Sequence, residues 1–106
     1  AGDELARMQA EAARLAVFNG SSDPGFGERT VQYLQGKGAN VVANQAAGQA
    51  YANTTVIDHT GSPYTVQYLV NLLGIHPGRI IIDFDPNAQV DVELYLGDSS
   101  RGVEFP

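Results

Sequence analysis

Thr30-Val31-Gln32-Tyr33-Leu34 recurs unchanged as Thr65-Val66-Gln67-Tyr68-Leu69, and the fold is decided by what surrounds the two copies. Ahead of the first, Leu15-Ala16-Val17-Phe18 runs into Asn19-Gly20-Ser21-Ser22-Asp23-Pro24. Ahead of the second, Thr54-Thr55-Val56-Ile57-Asp58 runs into Thr60-Gly61-Ser62-Pro63. An apolar or β-branched run halted by glycine, serine and proline reads as a buried strand entering a turn. Proline right after Asp23 or Ser62 suits the first position of a helix, where an N–H has no partner to lose and φ is already helical.

The first helix turns Phe26, Thr30, Val31, Tyr33 and Leu34 inward and stops at Gly36-Lys37-Gly38. The second runs from Tyr64 to Leu73 and is closed by Gly74. Working outward, Asn40 to Ala43 is a strand, and Asn44 to Asn53 has no apolar period and reads as an exposed loop. Pro77-Gly78 is a turn, Arg79 to Phe84 a strand, and Asp85-Pro86-Asn87 a turn. Val90 to Leu96 alternates apolar with polar residues, which predicts a half-exposed strand at an edge. Leu5, Met8, Ala12 and Leu15 at helical spacing, with Asp3 as N-cap and Glu4 in the first turn, predict a short amphipathic helix over residues 3–15.

These elements predict an α/β chain of the α+β sandwich type. Two β-α-β repeats form one mixed sheet of four or five strands, with both helices on one face and a lead-in helix ahead of it. A ferredoxin-like split βαβ arrangement follows if the first and third strands lie side by side. Residues 1–14 are then a lead-in from an upstream domain, 15–98 the α/β domain and 99–106 a C-terminal tail. The same adjacency brings the two serine-proline loops to one end of the sheet, where the helix N-termini offer free amides. The expected binding residues are Asn19, Gly20, Ser21, Ser22, Thr60, Gly61, Ser62 and Tyr64.

Composition narrows the function. At 106 residues the chain has room for one core. With 43% hydrophobic and 17% charged residues it is composed like a globular domain and not a disordered one. Six basic residues against twelve acidic ones give a net charge of -6, and no two Lys or Arg are adjacent. Nothing there matches a phosphate backbone, so nucleic acid is not an expected partner. The apolar runs are short, as at Ile80-Ile81-Ile82, so no membrane contact by this chain is expected. The absence of cysteine excludes disulfides, thiolate metal sites and cysteine nucleophiles.

The chemistry-bearing residue types each have a plainer reading. Gly20, Gly25 and Gly27 follow a strand and precede a helix, as in a phosphate loop. No lysine follows them, however, and Asp23 stands where phosphate would lie. Asp83, Asp85 and Asn87 offer oxygen ligands without the spacing of a calcium loop. His59 and His76 lie beside turns at no metal-ligand spacing. Ser21, Ser22 and Ser62 lack a nucleophile elbow and are accounted for as caps. Tyr33 and Tyr68 are assigned to packing, with Tyr51, Tyr64 and Tyr95 as further amphipathic rings. No catalytic residue, cofactor or metal is expected. An independent hydrolase or transferase would need a nucleophile with its base, and no such pair is legible.

Taken in order, Ala16-Val17-Phe18-Asn19-Gly20-Ser21, Val56-Ile57-Asp58-His59-Thr60-Gly61, Tyr68-Leu69-Val70-Asn71-Leu72-Leu73-Gly74 and Val90-Asp91-Val92-Glu93-Leu94-Tyr95-Leu96-Gly97-Asp98 resemble the C-terminal domain family of LytR-CpsA-Psr cell-envelope proteins. The resemblance runs from about residue 15 to 98. It implies an extracytoplasmic accessory module beside a separate phosphotransferase domain that attaches glycopolymers to peptidoglycan. The parent protein would then be anchored in the membrane by a segment outside this chain. The partners implied are peptidoglycan, a cell-wall glycopolymer or another envelope protein. The alternative is a structural module that forms a homodimer by pairing strand 90–96 with a second chain.

Overall fold

A computed structural model describes residues 2–106. In chain order the elements are α1 (Gly2–Glu11), β1 (Arg14–Asn19), α2 (Phe26–Gly36), β2 (Asn40–Ala46), β3 (Thr55–Asp58), α3 (Pro63–Leu73), β4 (Ile80–Ile82) and β5 (Val92–Leu96). Short 3-10 turns cover Pro77–Arg79 and Asp98–Ser100. The five strands form one mixed sheet in the order β2-β1-β5-β3-β4.

The two predicted β-α-β units are present, each with its strands parallel and adjacent: β1-α2-β2 on one side and β3-α3-β4 on the other. Both helices cover the same face. Phe26, Val31 and Leu34 of α2 and Val66, Leu69 and Leu73 of α3 share one buried cluster with Leu15, Val17, Val56, Val92, Leu94 and Leu96. The repeated pentapeptide occupies matching places, with Thr30, Val31 and Leu34 buried in α2 and Thr65, Val66 and Leu69 buried in α3. Tyr68 sits near Tyr33; burial first, and then the Tyr33 hydroxyl, push its pKa up to about 12.

The strand order corrects two expectations. β1 and β3 are not neighbours, and the arrangement is not a ferredoxin-like split βαβ, because β5 enters between the two units. Segment 90–96 therefore supplies the central strand and not an edge. Leu15, Val17 and Asn19 of β1 pair with Val92, Leu94 and Leu96 on one side, and Val56 pairs with Leu94 on the other. Its alternation, which predicts an edge, instead records a strand with one covered and one open face. With both of its sides hydrogen-bonded, it has no free edge for pairing with another chain.

Element ends also differ. The first helix stops at Glu11, where Ala12 adopts φ 51 and turns the chain so that Leu15 faces the core from a strand. α2 starts at Phe26, two residues after Pro24, because the Asp23 carboxylate closes a turn on the Gly25 N–H at 2.9 Å. β2 runs on to Ala46, since Asn44, Gln45 and Ala46 pair with Val17, Phe18 and Asn19. α1 docks through buried Met8, and Glu11 accepts the Tyr64 and Thr65 N–H groups at 3.1 and 2.7 Å, capping α3. At the other terminus, Phe105 stacks on Tyr33 with ring centroids 4.8 Å apart.

Candidate functional site

The loop leaving β1 is organised by Asn19. Its Oδ1 accepts the Ser21 N–H at 3.1 Å and hydroxyl at 2.7 Å, while Nδ2 donates to the Asp23 carbonyl at 3.0 Å. Ser22 donates its N–H at 2.7 Å and its hydroxyl at 2.9 Å to Asp98. Those two bonds, the N–H first, hold the Asp98 carboxyl below its ordinary range. Gly20 donates to the Leu96 carbonyl and accepts from Tyr51 N–H, both at 2.8 Å. A Cβ on Gly20 would lie 2.6 Å from the Tyr51 ring, so only glycine lets the two segments meet.

The loop leaving β3 wraps a buried carboxylate. Asp58 Oδ1 accepts the Gly61 and Ser62 N–H groups at 3.0 Å and that of Thr60 at 3.3 Å. The Thr60 hydroxyl donates to Asp91 at 2.8 Å. Asp91 also takes the Arg14 guanidinium and N–H, and the guanidinium is the main reason its pKa falls to about 2 against the pull of burial. Tyr64 is exposed, with the Arg7 guanidinium 5.6 Å from its ring centre. The α3 N-terminus does not offer free amides, because Glu11 covers them.

The structure does not unite the two loops. β1 runs parallel to β5 and β3 antiparallel to it. The group Asn19, Gly20, Ser21 and Ser22 therefore lies beside Leu96 and Asp98, and the group Thr60, Gly61 and Ser62 lies beside Asp91, at the opposite end of the sheet.

Two clefts lie near these elements, one beside the start of α2 and one on the open sheet face. One, of about 440 Å³, is bounded by Asn19, Ser21, Glu28 and Asn44 at the ends of β1 and β2. The other, of about 390 Å³, lies on the open sheet face, with Ala16 and Ala43 as floor and His59, Asp85 and Glu93 along its sides. Gln45 lines both. The paired alanines at the floor of the second leave the room.

Along this face the outward residues of the two central strands make an aromatic stack. Phe18 and Tyr95 lie 4.7 Å apart, and Tyr51 stacks on Tyr95 at 5.1 Å. The Tyr95 hydroxyl donates to Glu93 at 3.0 Å, and burial with that bond pushes its pKa up to about 12. Glu93 in turn meets His59 Nε2 at 2.5 Å, while His59 Nδ1 lies 2.9 Å from the Asp83 carbonyl. Both ring nitrogens face acceptors, which only the imidazolium can satisfy. Accordingly the His59 pKa is raised, by Glu93 first and the Asp83 carbonyl after it, against burial. The sequence marks these residues only faintly: Glu93 and Tyr95 share the outward phase of β5, but nothing local brings Phe18, Tyr51 and His59 to them.

A family model described as LytR cell envelope-related transcriptional attenuator, LytR_C, matches residues 12–99. The chain belongs to the LytR_C family. Neither the curated proteins nor the solved structures compared with it gave a match. Membership gives this LytR_C domain a cell-envelope-related accessory place and not a known catalytic one. Among the described residues no three His, Asp or Glu side chains gather as a metal site, and no helix is long and apolar enough to cross a membrane.

Proposed function

We propose that this LytR_C domain is a non-catalytic binding module of an extracytoplasmic, LytR-CpsA-Psr type protein, and that it holds its parent on cell-wall polymer. The observation that carries the reading is the groove on the open face, flanked by the Phe18-Tyr95-Tyr51 stack. Flat rings bordered by hydrogen-bonding groups suit sugar rings, which offer an apolar face and a hydroxyl edge. Two clefts that share Gln45 as a lining residue suit a chain of units better than a single small ligand. Glu28 lines one cleft, Asp85 and Glu93 the other with one imidazole, and the whole chain carries a net charge of -6. Anionic glycopolymers are disfavoured by that field, and the glycan of peptidoglycan is the polymer that fits.

Sedimentation with insoluble peptidoglycan tests this. The wild-type domain is expected in the pellet. Phe18→Ala and Asn19→Ala, each lining one of the clefts, reduce retention at least tenfold, while Ser62→Ala, at the far end of the sheet, leaves it unchanged. Equal retention of all the variants, or none of the wild type, defeats the reading.

A further inference from the structure

The sheet has two edges, and they are built differently. β2 presents Asn40, Asn44 and Gln45 beside Val42, a largely polar border. β4 presents Ile80-Ile81-Ile82, with Ile81 42% and Ile82 70% exposed and Phe84 72% exposed just beyond. No lysine or proline interrupts this strand, and its outer N–H and C=O groups make a template for a further strand. The occupant is written in the residues that flank it. Arg79-Ile80-Ile81-Ile82-Asp83 reads the same, with opposite charge, from either end.

We infer that the β4 edge pairs with the β4 edge of a second copy of this chain, antiparallel about a two-fold axis through Ile81. The hydrogen-bond phase allows it. The Asp83 N–H is taken by the Asp58 carbonyl of β3 at 3.0 Å, so by the two-residue alternation Ile81 also faces β3 while Ile80 and Ile82 face outward. Centring the pair on Ile81 sets Ile80 opposite the partner's Ile82 as a hydrogen-bonded pair, and Ile82 opposite the partner's Ile80.

Side chains follow the same symmetry. Ile81 pairs with Ile57 on the open face, and the strand is flanked by Arg79, the last residue of the 3-10 turn, and by Asp83. Arg79 Nε donates to the Thr55 hydroxyl at 3.0 Å, and the inferred pairing engages its terminal nitrogens. Asp83 is 68% exposed and sits 3.7 Å from the His59 ring, at the opposite end of β4. In the antiparallel register each Arg79 stands across from the partner's Asp83, so two opposite-charge pairs bracket an isoleucine ladder. Any one-residue slip separates the charges and sets an outward-facing backbone position opposite an inward-facing one, which breaks the hydrogen-bond match. The paired sheets are continuous, and both open-face grooves look to the same side.

Charge reversal tests it on the whole chain. By sedimentation velocity the wild type is expected to pass from monomer to dimer with rising concentration. Arg79→Asp and Asp83→Arg each place like charges opposite one another and weaken the dimer at least tenfold. An equimolar mixture of the two variants restores both pairs and forms a heterodimer, an outcome that misfolding of either variant does not produce. Because the native chain has no cysteine, Ile81→Cys is expected to cross-link to itself on oxidation while Val42→Cys on the other edge does not. A wild type that stays monomeric up to ~1 mM, the weak limit of specific association, or a mixture no more dimeric than its components, overturns the inference.

Discussion

His59 shows how a single residue reports the packing around it. Burial alone would favour the neutral ring, yet the Glu93 carboxylate and the Asp83 carbonyl occupy both nitrogens and raise the pKa above its ordinary 6.5. A raised folded-state pKa contributes stability that is complete below 6.5 and is lost as pH rises through the folded value. We therefore expect an NMR titration to place the His59 midpoint above 6.5, and Glu93→Gln to lower it. In the wild type, urea denaturation loses stability between that unfolded value and the folded midpoint, and Glu93→Gln flattens this loss. A midpoint that does not move in the variant would sink this account. Neither residue stood out in the sequence as one of a pair, because 34 positions separate them and only the β3-β5 pairing brings them into contact.

At the scale of elements, the repeated pentapeptide gives the same residues two different surroundings. In α2 the buried Thr30 hydroxyl donates to the Phe26 carbonyl at 2.8 Å. In α3 the buried Thr65 hydroxyl has no hydrogen-bond partner among the described residues. Replacing each by valine keeps the shape and removes the polar atom. Thr30→Val should cost about 1 kcal/mol, and Thr65→Val should be neutral or stabilise by up to about 1 kcal/mol, since it removes an unpaired buried group. Chemical denaturation of the two variants side by side checks the contrast, and equal losses would refute it. The helices themselves were legible from proline, glycine and apolar spacing, which are local signals. The cap on α3 was not, because Glu11 reaches it from another helix.

For the whole molecule, the segments flanking the family match are part of the core and its border. α1 contributes buried Met8 and the Glu11 cap. Beyond residue 99, Ser100 accepts from the Thr54 hydroxyl at 2.7 Å and donates to the Leu73 carbonyl at 2.8 Å, and Phe105 stacks on Tyr33. A chain trimmed to residues 12–99 should therefore be less stable than the full chain by about 3 kcal/mol or more, from the lost cap, hydrogen bonds and apolar burial together. Equal urea midpoints for the two would show these contacts to be incidental.

The sequence by itself determined the two β-α-β units, the helix-covered face and the family, because turn residues, apolar period and motif order are written within a few positions of one another. Tertiary structure alone decided where β5 lies. Its alternation of Val92, Leu94 and Leu96 with Glu93 and Tyr95 states that one face is buried, but it is silent on which strands flank it. By entering between β1 and β3, parallel to one and antiparallel to the other, β5 sent the two serine-proline loops to opposite ends and assembled the aromatic groove between them. Strand pairing is a long-range choice, made by the packing of the whole core.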